Sequence, residues 1–177
     1  MKKVTLLTIF AALMMISSAA VAQTTASGTL TVTATVTGSI NLVFNSDASG
    51  LALSSGAGTN AATLAFGNVS AFGAIPAGIV RSTTANNFTV SSAVDVLVTK
   101  TNSASANYTL KAQLGSADAV NTWAVGGVAV SNAAQSTLTA TGTYAANSNF
   151  PVAITVPFTT ASGTLISNTI NYVATAN

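Results

Sequence analysis

From Thr29 to Phe44 the chain alternates apolar and hydroxyl residues, TLTVTATVTGSINLVF. Leu30, Val32, Ala34, Val36, Ile40, Leu42 and Phe44 share the even positions, and Thr29, Thr31, Thr33, Thr35, Thr37, Ser39 and Asn41 the odd ones. Successive side chains of a strand point to opposite faces, so the pattern predicts a strand with one apolar face. At about 3.3 Å per residue the stretch would reach roughly 50 Å, while a typical strand has about five or six residues. Gly38 keeps the parity without a side chain and is the natural bend. The stretch therefore predicts two strands, Thr29–Thr37 and Ser39–Phe44.

The same period recurs between Gly-, Asn- and Ser-rich breaks. Asn45–Asn60 reads as a loop with an apolar island at Leu51–Leu53, and Thr63–Phe66 as a short strand ending at Gly67. Ser70–Ala85 reads as a connection with a short strand near Ile79–Val80. Phe88–Lys100 puts Phe88, Val90, Val94, Val96 and Val98 on one face. Tyr108–Leu114 places Tyr108, Leu110, Ala112 and Leu114 inward, and Asn102–Asn107 before it reads as a hairpin loop. Trp123–Val130 is interrupted by Gly126-Gly127, a turn or bulge signal. Leu138, Ala140 and Tyr144 follow on another strand, and Phe150–Phe158 lines up Phe150, Val152, Ile154, Val156 and Phe158. Pro151 and Pro157 near the ends of that strand predict an edge position. Ile166, Ile170, Tyr172 and Ala174 line the last strand, after a turn at Ala161-Ser162-Gly163. Eight or nine short strands with polar turns predict an all-β, immunoglobulin-like antiparallel sandwich, with a closed barrel as runner-up.

The first residues carry an export pattern. Lys2 and Lys3 precede an apolar run, Leu6–Ile16, and the small-residue site Ala20-Val21-Ala22. Residues 1–22 are read as a signal peptide, 23–37 as an N-terminal extension and 38–177 as the β domain. The formal charge of +2 includes Lys2 and Lys3. Beyond them, Arg81, Lys100 and Lys111 balance Asp47, Asp95 and Asp118. A neutral chain lacks the clustered cations that nucleic acid or an anionic membrane requires, and it favours association over repulsion.

Conventional catalysis has little to work with. The sequence has no Cys, His or Glu, which removes disulfides, imidazole bases and imidazole metal sites. The three Asp are far apart, and Asn45-Ser46-Asp47 reads as a capped turn rather than a Ca²⁺ loop. Gly126-Gly127 precedes no helix, so it is no phosphate cradle. Trp123 reads as a core residue in preference to an exposed binding aromatic. The threonine row of Thr29–Thr37 reads as the solvated side of a strand rather than an ice- or polymer-binding face. The chain reads as a non-enzyme without cofactor, metal or small-molecule substrate.

The order of motifs is similar to that of a known group. An exported alternating segment (TLTVTATV) passes straight into a strand (SINLVF); a LAFG stretch follows at Leu64–Gly67, and the chain closes on GTLISNTINYVATAN. This resembles chaperone–usher fimbrial (pilin) subunits of the archaic and alternate types, and the related spore coat protein U-like domain. Members of the latter usually carry a disulfide joining an early strand to a central one. Here the neighbourhoods of Ser39 and Thr99 have no Cys, and the usual Gly-x-Tyr before the final strand is Gly163-Thr164-Leu165. The resemblance implies donor-strand exchange, in which each sandwich lacks one strand and the next subunit supplies it. The donor would be Thr29–Thr37, with Leu30, Val32, Ala34 and Val36 filling a neighbour's groove. The acceptor, which a periplasmic chaperone would grip first, would lie beside the final strand at Ile166, Ile170, Tyr172 and Ala174. The implied partners are copies of the same chain, that chaperone and an outer-membrane usher. The implied address is the periplasm in transit and then the cell surface.

Two other readings compete with a fimbrial or coat subunit. One is a monomeric secreted immunoglobulin-like binding module, in which Thr29–Thr37 completes its own domain. The other is a small outer-membrane barrel, which 6% aromatic residues and a polar end at Asn177 disfavour.

Overall fold

The computed structural model describes residues 27–177, so the expected signal peptide lies outside the described residues. The chain divides into a unit ending at Thr35 and a second unit, Val36–Asn177. All secondary structure among the described residues is β. The eleven strands are β1 (Ser39–Ser46), β2 (Val80–Thr83), β3 (Asn87–Ser92), β4 (Val94–Thr101), β5 (Tyr108–Leu114) and β6 (Thr122–Val125), then β7 (Val128–Val130), β8 (Ser136–Gly142), β9 (Asn147–Asn149), β10 (Val152–Pro157) and β11 (Ile170–Ala176).

Alternation decides which faces are buried. In β3 and β4 the positions Phe88, Val90, Val94, Val96 and Val98 are all buried, with partly exposed residues between them. Tyr108, Leu110, Ala112 and Leu114 of β5 and Val152, Ile154 and Val156 of β10 do the same. The pairing is antiparallel throughout, in three sheets ordered β1-β4-β9, β2-β3-β10-β6-β7 and β11-β5-β8.

The first two sheets share one long ladder. Val152 faces Ser92 in the β3–β10 pair, and Asn149 faces Asp95 in the β4–β9 pair. The one-for-one register therefore carries across the gap, where the Phe150 amide donates to the Val94 carbonyl at 2.8 Å. The expected strand over Phe88–Lys100 is thus present, broken only at Ala93. Next to it the Leu51 amide of a neighbouring loop donates to the buried Ser92 Oγ at 2.7 Å.

Two apolar clusters hold the sheets together. Phe88, Val90, Trp123, Val125, Ile154 and Val156 pack with Ala112 and Leu114 of the third sheet. Val96 and Val98 of β4 pack with Tyr108 and Leu110 of β5. Burying a Val or Leu side chain contributes about 1.5–3 kcal/mol, and without disulfides these clusters and the ladders carry the fold.

Several expectations change. No residue of 27–38 joins a strand, so the expected strand Thr29–Thr37 is absent; an alternating segment needs a partner ladder to become one. Thr63–Phe66 makes a single bridge, at Thr63 with Ser55. Asn102–Asn107 is not a hairpin loop, because β4 and β5 belong to different sheets. β10 is not an edge strand but pairs with β3 and β6. Its prolines sit where no N–H is needed: Pro157 closes the strand, and Pro151 precedes it and accepts from Gly126 N at 2.8 Å. Ala140 is exposed because two register shifts between β5 and β8 break its parity. Phe158 lies beyond the end of β10 and is 40% exposed. The final strand starts at Ile170, leaving Ile166 in the preceding connection. Gly126-Gly127 forms the β6–β7 hairpin turn, with φ of 58° and 79°, the left-handed conformations such a two-residue turn requires.

Leu110 is fully buried at the centre of β5. Leu110→Ala is expected to cost about 2–5 kcal/mol, read as a lower urea midpoint with an unchanged denaturant slope.

Candidate functional site

β11 is held on one side only. It pairs with β5 from Ile170↔Leu114 to Ala176↔Tyr108, and among the described residues no strand pairs with its other edge. Such an edge leaves a row of N–H and C=O groups open to pairing with another chain. Along β11 the alternation puts Ile170, Tyr172 and Ala174 half-buried and Asn171, Val173 and Thr175 outward. Ile166, in the connection, packs half-buried against the larger core cluster.

Beside this edge runs an open groove of about 1780 Å³. Its floor is apolar core: Val90, Trp123, Ile154 and Val156. Two unbroken stretches form its sides, residues 60–71 and residues 160–172. None of the lining residues is charged. One end is closed by Tyr172, whose ring meets Phe44 of β1 edge-on at 5.0 Å between centroids. Burial drives the Tyr172 phenol well above its ordinary pKa, so it stays neutral. Of the residues expected to form an acceptor, the structure brings Ile166, Ile170 and Tyr172 to the groove, and Ala174 packs in the second cluster next to it.

The expected donor positions are all exposed. Leu30, Val32 and Val36 are 88%, 80% and 73% exposed, and Ala34 is exposed as well. Exposed apolar residues arranged on one parity of an unpaired segment are a ready-made strand for another sheet edge.

Trp123 is buried against the groove floor and tied by its indole. Nε1 donates to Asp118 Oδ2 at 2.8 Å, while Asp118 Oδ1 accepts from the amides of Val120 at 3.0 Å and Asn121 at 2.8 Å. Desolvation opposes ionisation of Asp118, but these donors outweigh it and bring its pKa down to about 2. Asp47 caps its own turn, with Oδ1 accepting from Ser49 N at 2.7 Å. Its Oδ2 accepts from Asn149 Nδ2 at 2.7 Å, so both oxygens are engaged by neighbouring side chains and backbone.

Sequence reasoning did not identify residues 60–71 as a side of the groove. The pattern predicts only a short strand at Thr63–Phe66 ending at Gly67. Nothing local distinguishes a segment that lines a groove from one that joins a ladder. Comparison with known proteins finds no matching family model, no matching curated protein and no matching solved structure.

Asp118 links the groove floor to pH. Its folded pKa lies below the unfolded value, so its contribution is complete above about pH 4. That contribution is lost as pH falls through about 2. Between these values Trp123 fluorescence is expected to shift to the red and the melting temperature to fall. In Asp118→Ala the shift should be present already at pH 7 and show no further acid dependence.

Proposed function

We propose that the protein is a structural subunit of a cell-surface fimbria or coat. In this reading the domain is an immunoglobulin-like sandwich lacking one strand, and residues 29–37 of a second copy supply it. One layer would be β1 to β4 with β6, β7, β9 and β10, and the other β11, β5 and β8. The missing strand belongs along β11.

One observation carries the proposal. An uncharged groove with an apolar floor and mixed apolar and hydroxyl- or amide-bearing sides lies along a strand that has one edge unpaired among the described residues, and the same chain holds an unpaired segment with exposed apolar residues at every second position. Open groove and free strand are complementary in pattern and in charge. Inserted, Leu30, Val32 and Val36 would each contribute about 1.5–3 kcal/mol from burial, in addition to the backbone ladder. Such a joint suits a chain without disulfides, whose subunits must stay attached outside the cell. Export by the N-terminal leader, delivery by a periplasmic chaperone and passage through an outer-membrane usher complete the reading.

The test is Val32→Asp in the full exported chain. A carboxylate buried in the groove by an inserted strand costs several kcal/mol, so filaments are expected to disappear while the subunit is still exported with unchanged circular dichroism. Filaments of normal length from this variant would rule the donor role out. A wild-type protein that stays monomeric at high concentration would favour the monomeric binding module instead.

A further inference from the structure

Ten successive residues, Ala71 to Val80 (AFGAIPAGIV), carry no polar side chain. Such a run belongs by composition to a core, but here only its feet reach one. Ala71 and Ile79 pack on the larger apolar cluster. Between them residues 72–77 are all exposed, with Phe72 at 73% and Ile75 at 36%.

This loop is held in shape. Arg81 of β2 donates through Nη1 to the Ser70 carbonyl at 2.9 Å and through Nη2 to the Gly73 carbonyl at 2.7 Å. Ser70 Oγ donates to the Phe72 carbonyl at 2.6 Å, and the Ile79 amide to the Pro76 carbonyl at 3.3 Å. At the far foot Gly78 takes a φ of 83° and lies so close to another loop that a Cβ would stand 2.5 Å from the Gly50 carbonyl oxygen. Phe72 rests on Phe158 at 6.1 Å between ring centroids, and Phe158 stacks on the buried Phe88 at 6.3 Å. Three rings lead from core to surface, and the outermost is the most exposed.

An exposed apolar patch that is kept rigid marks a contact surface. Its chemistry says what covers it. A protein partner makes about one hydrogen bond per 100–200 Å² of interface, and residues 72–77 offer no side-chain donor or acceptor for one. Charge is placed as in an interfacial anchor. No carboxylate occurs between Asp47 and Asp95, and the one cation of that stretch, Arg81, stands at the neck of the loop. The carbonyls of Ser70, Phe72, Gly73 and Pro76 are occupied from within the protein, which lowers the cost of taking the loop out of water.

We infer that Phe72–Ala77 is a membrane-docking loop that sets the Phe72 and Ile75 side chains into the outer part of a lipid bilayer, with Arg81 at the level of the phosphates. The occupant is lipid, taken up through apolar area and not through net charge. This contact is independent of the donor-strand reading and goes beyond it. In an assembly each copy would add one loop, so contacts that are weak singly become firm together.

The test uses the full exported chain carrying Phe72→Trp, mixed with phosphatidylcholine vesicles. The native Trp123 is buried and serves as an internal constant. Emission of the new indole is expected to shift to the blue when vesicles are added. It should be quenched by lipids brominated near the top of the acyl chain, equally at low and high salt. In the native background, Phe72→Ser with Ile75→Ser should lower vesicle partitioning on the order of 10-fold or more, with circular dichroism and melting temperature unchanged. Val32→Asp should leave partitioning as it is; this control is needed because the arm also exposes apolar residues. No vesicle binding, binding without quenching, or binding that the serine pair leaves intact would overturn the inference. Partitioning lost with Val32→Asp would also overturn it and assign the contact to the arm. A serine pair that dissociates a lipid-free oligomer of the native chain would overturn it too, by making a second copy the occupant.

Discussion

Backbone hydrogen bonding left open beside an apolar groove is the constraint that organises this molecule. A polar main-chain group near apolar surface is costly unless it is paired, and β11 leaves one whole edge without a strand. The side chains of Ile170, Tyr172 and Ala174 are already turned inward, with the Tyr172 ring edge-on to Phe44. The edge therefore cannot be relieved by turning the strand over, since a one-residue slip would send Ile170 and Tyr172 to solvent. In the proposed assembly a strand from a second copy pairs with it. This is why the groove, and not a cluster of polar side chains, is the site from which function is argued.

The rest of the fold keeps that groove from collapsing. The β3–β4 strand pairs with β10–β9 in one continuous register, giving a long, stiff floor. Its buried valines give the floor an apolar face. Trp123 adds the largest flat surface of the floor and is fixed by its bond to Asp118 rather than by packing alone. Rigid walls matter because a groove that closed on itself would satisfy its own apolar surface and lose its affinity for a strand.

Charge and redox chemistry point the same way. Beyond Lys2 and Lys3 the charges balance, and none of them lines the groove. Recognition in such a site depends on side-chain size and backbone register, which salt screens little. With no cysteine, durability comes from packing and ladders within the subunit and, in the proposed assembly, between subunits.

The pattern of the chain was enough to give an all-β protein, the inward residues of β3, β4, β5 and β10, and a turn or bulge at Gly126-Gly127. These are short-range consequences of period-two alternation and of left-handed glycine, so they can be read residue by residue. The alternation of Leu30, Val32, Ala34 and Val36 with the threonines between them was equally legible. What a strand pairs with was not. Pro151 and Pro157 suggested an edge, yet β10 is central, because a proline is harmless where its missing N–H faces no partner. Thr29–Thr37 looked like a strand and is none in this chain, and Leu64–Val69 lines a groove instead of joining a sheet. Alternation records which side chains want burial; only the tertiary structure decides which backbone edges are filled, because hydrogen-bond partners come from residues far away in sequence.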